Sequence, residues 1–142
     1  MVPPNTKARP TLDQKRASHA WEAVLRAESQ AGDHQRQSPK KFGGQAKKLP
    51  VRIMASGLGQ ALAFLKAKDY APGLVAELSA WIAERVPTRG NESRDLLERI
   101  IKGDSDFLRR ATDEVLAYLS WLNRFAEAKG LTEGQEGTIL SP

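Results

Sequence analysis

The spacing of apolar residues between positions 105 and 129 most constrains how this chain can fold. Apolar side chains recur there every three or four positions, at Leu108, Ala111, Val115, Leu119, Leu122 and Ala126. That interval matches the 3.6-residue turn of an α-helix. Aromatic residues at positions 107, 118, 121 and 125 widen the apolar band, which indicates either a buried central helix or a subunit interface. We predict a long helix that begins at Asp104 or Ser105.

The same periodicity recurs in shorter stretches through most of the chain. Each stretch begins at a capping residue or beside a glycine or a proline. Most of the stretches also end at or just before a glycine or a proline. The predicted helices cover residues 11–31, 38–57, 58–68, 72–86 and 93–103. A kink or a break is expected at Pro50, because proline removes a hydrogen bond from a helix interior. No segment alternates with period two, so the predicted fold is all-α, a single domain of about six helices.

The helical faces predict which side chains form the core. The predicted core positions include Trp21, Trp81, Ile101 and Leu108. His19 falls on the charged face of the first helix and His34 in a polar loop, so both are predicted to be solvated. We expect residues 1–10 to be a flexible arm, 11–129 the helical domain and 130–142 a flexible tail.

The residue types argue against several kinds of chemistry. The chain has no cysteine, and its two histidines lack the spacing of a metal-ligand pair. The acidic pairs Asp104/Asp106 and Asp113/Glu114 suit helix caps and solvated faces better than a shared acid–base site. The sequence lacks both an apolar run of 18 residues and an apolar signal-peptide core. We therefore expect a cytoplasmic protein with no catalytic residue, metal or cofactor.

The distribution of charge points to a polyanionic partner. Residues 1–52 carry eleven Lys and Arg against four Asp and Glu, a net charge of +7, whereas residues 53–142 carry a net charge of −2. Two lysine pairs seven residues apart recur on the same sides of one predicted helix. A solvated helix face is the alternative interpretation of this pattern. The candidate RNA-binding residues are Lys15, Arg16, Lys40, Lys41, Lys47, Lys48 and Arg52. Between the pairs, Gly43-Gly44 predicts a close backbone approach, to another helix rather than to a phosphate.

Three stretches of the sequence are distinctive as strings of residues. They are Thr11-Leu-Asp-Gln-Lys-Arg-Ala17, Lys47-Lys-Leu-Pro50 leading to Ser56-Gly-Leu-Gly-Gln-Ala-Leu-Ala-Phe64, and Tyr118-Leu-Ser-Trp-Leu-Asn-Arg-Phe-Ala126. Together they resemble the small-subunit family of the type III-B CRISPR Cmr RNA-targeting complex, over about residues 11–128. Two positions depart from the family pattern, in which Asn often stands at Ser56 and an aromatic residue at His19.

The resemblance implies a helical bundle that associates head to tail with copies of itself as the minor filament of a ribonucleoprotein. The implied partners are the other Cmr subunits, the guide RNA and the target RNA. The family supplies no residue for target cleavage. A stand-alone basic helical regulator that binds DNA is the alternative function left open by charge and helical pattern alone.

Overall fold

The computed structural model of the protein describes residues 8–30, 38–87 and 93–132. Six α-helices and no β-strand occur in these ranges. The helices are α1 (Leu12–Ser29), α2 (Pro39–Ser56), α3 (Leu58–Lys68), α4 (Pro72–Arg85), α5 (Leu96–Lys102) and α6 (Ser105–Ala128). The predicted all-α single domain of about six helices is confirmed. No helix in the described ranges is both long and apolar enough to cross a bilayer.

Side chains cap three of these helices, α1, α2 and α6, as the sequence predicts. The Thr11 hydroxyl accepts from the Gln14 backbone N–H, and the Gln14 side chain accepts in return from the Thr11 N–H. Ser38 caps α2, and Asp104 caps α6. The prediction for α5 was wrong, because Asp95 rather than Ser93 caps it. The Ser93 hydroxyl instead accepts from the Asp95 backbone N–H, just before the helix begins.

α2 passes through Pro50 without a break. Of the two alternatives predicted at Pro50, a kink or a break, the break is therefore wrong. Gly57 ends α2 with a φ of 89°, a backbone conformation that residues other than glycine rarely adopt. α3 begins at the next residue, so α2 and α3 form a packed helix pair with a one-residue junction.

α6 is the central helix of the core, with α1 and α2 packed along it. Its stripe of fully buried side chains contains Ala111, Val115, Tyr118, Leu119, Leu122 and Ala126. The Tyr118 ring stacks on the Trp81 ring of α4 at a centroid distance of 5.6 Å. The wide apolar band of α6 is therefore largely explained by burial on several sides.

Three residues predicted in the core lie at its edge or on the surface instead. Leu108 is 38% exposed, because the neighbouring Phe107 takes the core position at the start of α6. Ile101 is 72% exposed, since Leu96 fills the core from α5. Trp21 is 36% exposed and packs edge-on against Phe125 of α6. In each case the helical period was right, and the width of the buried face was overestimated.

The chain turns back over α2 after α6 ends. Leu131 and Thr132 are buried. The Leu131 carbonyl oxygen lies only 1.7 Å from where a Cβ on Gly43 would stand, so only glycine leaves room for this crossing. A close backbone approach is present at Gly43, but to the segment that follows α6 rather than to another helix as predicted. Except for residues 8–10 and 130–132, the predicted arm and tail lie outside the described residues, as does His34.

Candidate nucleic-acid interface

One side of α2 is buried, and this fixes where its basic residues point. Phe42, Ala46, Leu49 and Ile53 pack into the core, as their spacing predicts. Lys40, Lys47 and Lys48 are all exposed. Lys40 and Lys47 stand seven residues apart, so they project in nearly the same direction about 10.5 Å apart along the axis. α2 thus presents a row of ammonium groups on its outer side.

Charge on α2 is of one sign. The helix holds five basic residues and no Asp or Glu. Val51 and Met54 continue the outer side beyond Lys47, and they are 72% and 76% exposed. We call the surface formed by Lys40, Lys41, Lys47, Lys48 and Arg52 the basic face of α2. A surface with an excess of basic side chains attracts polyanions irrespective of sequence.

The two other basic residues of this face lie over aromatic rings. The Lys41 ammonium lies 4.8 Å from the centroid of the Tyr70 ring. The Arg52 guanidinium lies 4.5 Å from the centroid of the Phe64 ring and donates a hydrogen bond to Gln45. Such cation–π contacts hold a long side chain in place while its charge stays at the surface. Lys41 and Arg52 are thereby more ordered than solvated side chains would be.

The two rings also contact each other. Phe64 and Tyr70 meet edge to face with centroids 6.2 Å apart. Phe64 is 37% exposed and Tyr70 is half-buried. Sequence reasoning missed this pair as part of the site. The available signal was that Phe64 falls outside the apolar stripe of α3, which is formed by Leu58, Ala61, Leu62 and Leu65.

A cavity opens beside Tyr70, between α3 and α4. Its volume is about 450 Å³. Apolar side chains form much of its wall, including Leu65, Tyr70 and Val75. Lys66, Asp95 and Arg94 also line it, and the Lys66 ammonium is paired with Asp95 at 2.7 Å. Tyr70 therefore contacts Lys41 of the basic face of α2 and also lines this cavity.

The remaining candidate residues, Lys15 and Arg16, belong to α1. The Arg16 guanidinium forms two hydrogen bonds to the Glu114 carboxylate, at 2.6 and 3.0 Å, and a third to Asp13 at 3.2 Å. Lys15 is exposed and lines a depression with Trp81 and other residues of α1 and α4. The structure thus brings five of the seven predicted residues together on α2 and places two on a different helix.

Glu114 is not the solvated carboxylate that the sequence suggested. Its side chain is 11% exposed and also accepts a hydrogen bond from the Trp81 indole at 2.9 Å. Burial alone would raise the pKa of Glu114, but the donors Arg16 and Trp81 outweigh it, and the pKa lies below its ordinary value. The carboxylate joins α1, α4 and α6. Asp104, in contrast, caps a helix as predicted.

His19 also departs from its predicted solvated state. Its Nδ1 shares a hydrogen bond of 2.7 Å with the Tyr118 hydroxyl, and its ring lies 5.2 Å from that of Trp81. Burial lowers the pKa of His19, so the ring is neutral near pH 7. His19 therefore packs as an aromatic residue would. In the described part of the chain, no group of three or more His, Asp or Glu side chains is arranged to hold a metal ion.

The chain is similar in sequence and in fold to proteins of one known family. A family model described as CRISPR-associated protein (Cas_Cmr5) matches residues 12–129. The fold is similar to the crystal structure of a CRISPR-associated Cmr5 family protein from Thermus thermophilus. The two sequences are 32% identical over 87% of this chain and 100% of that chain, with a TM-score of 0.64.

Proposed function

The chain belongs to the Cmr5 family of CRISPR-associated proteins, and on that premise we propose that it is a non-catalytic structural subunit that contacts target RNA through the basic face of α2. Family membership makes the chain a subunit of a CRISPR Cmr complex, in which it associates with other Cmr subunits. The resemblance drawn from the three sequence stretches is confirmed. The contact with RNA, the lack of a catalytic role and the stacking of copies are the proposed part.

The observation that carries the RNA contact is the run of five basic residues on α2 without an acidic one. Lysine and arginine contacts to phosphates are independent of base sequence. That property suits a complex whose specificity comes from pairing between guide and target. Lys15 and Arg16 are left out of the proposed surface, because Arg16 is engaged by Glu114 and Lys15 lies on another helix.

Salt dependence of RNA binding tests the contact. We expect the isolated protein to bind a single-stranded or guide-paired RNA weakly, with an affinity that falls as salt rises. Each phosphate contact on a single strand contributes about −0.7 to the slope of log K against log salt. Lys47→Glu/Lys48→Glu should therefore make the slope shallower by roughly 1 to 2. A slope that does not change would mean that these side chains are a solvated face.

Head-to-tail stacking requires two different surfaces on each copy, because the interface is heterologous. The charge asymmetry supports this, since residues 1–52 carry a net charge of +7 and residues 53–142 one of −2. Native mass spectrometry of the assembled complex should find more than one copy of the chain. A single copy would contradict stacking. Specific binding of the isolated chain to duplex DNA at physiological salt would instead favour the DNA-binding regulator.

A further inference from the structure

The ring pair of Phe64 and Tyr70 lies beside the basic face of α2, and Tyr70 also borders the cavity between α3 and α4. The Lys41 ammonium and the Arg52 guanidinium each cover part of one ring. The same short stretch of surface thus offers cations, exposed aromatic carbon and a recess. Phosphate binding by lysines explains the cations, but it gives no use for the rings or the recess.

Duplex and single-stranded RNA differ in what they present to such a surface. In a duplex the bases are stacked on each other, and a protein reaches phosphates and 2′-hydroxyls. In a single strand the unpaired bases are free to stack on aromatic side chains or on arginine guanidinium planes. An exposed Phe64 ring with Arg52 on it provides both kinds of stacking surface.

The cavity has the dimensions and lining for an unpaired base. Its volume of about 450 Å³ lies within the range of roughly 300–1,000 Å³ typical of small-ligand pockets. Leu65, Val75 and the Tyr70 ring supply apolar contact. Hydrogen-bond donors and acceptors, the groups that recognise the edge of a base, come from Lys66, Asp69, Arg94 and Asp95.

We propose that Phe64, Tyr70 and the adjacent cavity bind unpaired nucleobases of the RNA strand whose phosphates lie on the basic face of α2. The inference rests on the proposed function and adds the ligand class, single-stranded rather than fully paired RNA. Charge complementarity with α2 favours RNA over an apolar protein segment, because that helix carries five basic residues and no acidic one. The acidic residues of the neighbourhood, Asp69 and Asp95, line the cavity itself.

The test compares three probes with the full-length chain: a single-stranded RNA of about 20 nucleotides, the blunt duplex of the same sequence, and a single strand with abasic sites. Phe64→Leu removes the ring and keeps an apolar side chain. We expect it to weaken single-strand binding about tenfold and to leave duplex binding within about twofold. The abasic strand should bind wild type weakly and lose little more in Phe64→Leu. Phe125→Leu makes the same change at a half-buried ring of α6 that packs on Trp21, outside the proposed site, and serves as the control with unchanged affinity.

Equal effects of Phe64→Leu on all three probes, or no effect, would overturn the base contact. Lys47→Glu/Lys48→Glu separates this failure from that of the proposed function, since it should weaken binding of both the single strand and the duplex. If that variant binds like wild type, the proposed RNA contact itself fails. If Phe64→Leu spares RNA binding but prevents incorporation into the Cmr complex, the rings form a subunit contact, and the inference is wrong.

Discussion

The guanidinium of Arg16 holds the carboxylate of Glu114 across the interface of α1 and α6, with Nε and Oε2 2.6 Å apart and Nη2 and Oε1 3.0 Å apart. Their side chains are 19% and 11% exposed, so water screens the pair only in part. A residue that looked like an RNA ligand in the sequence thus joins two helices. The candidate RNA-binding surface therefore loses Arg16, and the fold gains a polar contact with defined geometry.

Arg16→Ala should lower the free energy of unfolding by about 2–3 kcal/mol, because Glu114 would keep its burial and lose a charged partner. Urea denaturation measures the change. Lys15→Ala is the matched control on the same helix, and we expect an effect within about 0.5 kcal/mol. If the two variants were equally stable, the ion pair would contribute nothing to the fold.

Gly43→Ala tests the crossing of the chain over α2. The added methyl group would meet the Leu131 carbonyl oxygen, so the segment at Leu131 must move. We expect a loss of about 1–3 kcal/mol in thermal or urea unfolding, typical of overpacking. Gly73→Ala is the control, since its Cβ would meet only Phe42 Cδ2 at 3.9 Å. A fully stable Gly43→Ala would mean that residues 130–132 do not pack on α2 in solution.

The stability of the protein should depend on pH through His19. Burial, opposed by Glu77 and Glu84, sets its pKa below the ordinary 6.5 in the folded state. The unfolded chain therefore binds more protons just below that value, and stability falls as pH decreases from 6.5 through the folded pKa. His19→Phe should flatten the dependence of unfolding free energy on pH between about 7.5 and 5. The same slope in both proteins would assign the titration to another group.

The elements of this fold were largely predictable because they depend on local rules. The caps at Thr11 and Ser38 and the end at Gly57 follow from side-chain hydrogen bonds and backbone sterics within a few residues. The edges of the core were not predictable in the same way. The choice of Phe107 over Leu108 depends on which helices α6 meets, and a single helical pattern does not contain that information.

The candidate site was likewise predictable only where it depends on the pattern within one helix. The lysines of α2 could be found from charge and spacing in one helix. The partners that define their surroundings come from elsewhere in the chain: Phe64 lies beneath Arg52 and Tyr70 beneath Lys41. His19 was placed on a charged face by its neighbours in α1, yet α4 and α6 partly bury it. Long-range contacts decide these cases.

The RNA contact of α2 is best tested by target RNA binding to the reconstituted Cmr complex carrying Lys40→Glu, Lys41→Glu, Lys47→Glu and Lys48→Glu. A charge-matched control changes four exposed cations of α5 and α6 to Glu: Lys102, Arg109, Arg110 and Arg124. Thermal unfolding of each variant checks its fold. With the α2 variant we expect the target affinity to be at least about tenfold weaker, and with the control we expect a change within about twofold. An unchanged affinity in the α2 variant would contradict an RNA contact at the basic face of α2.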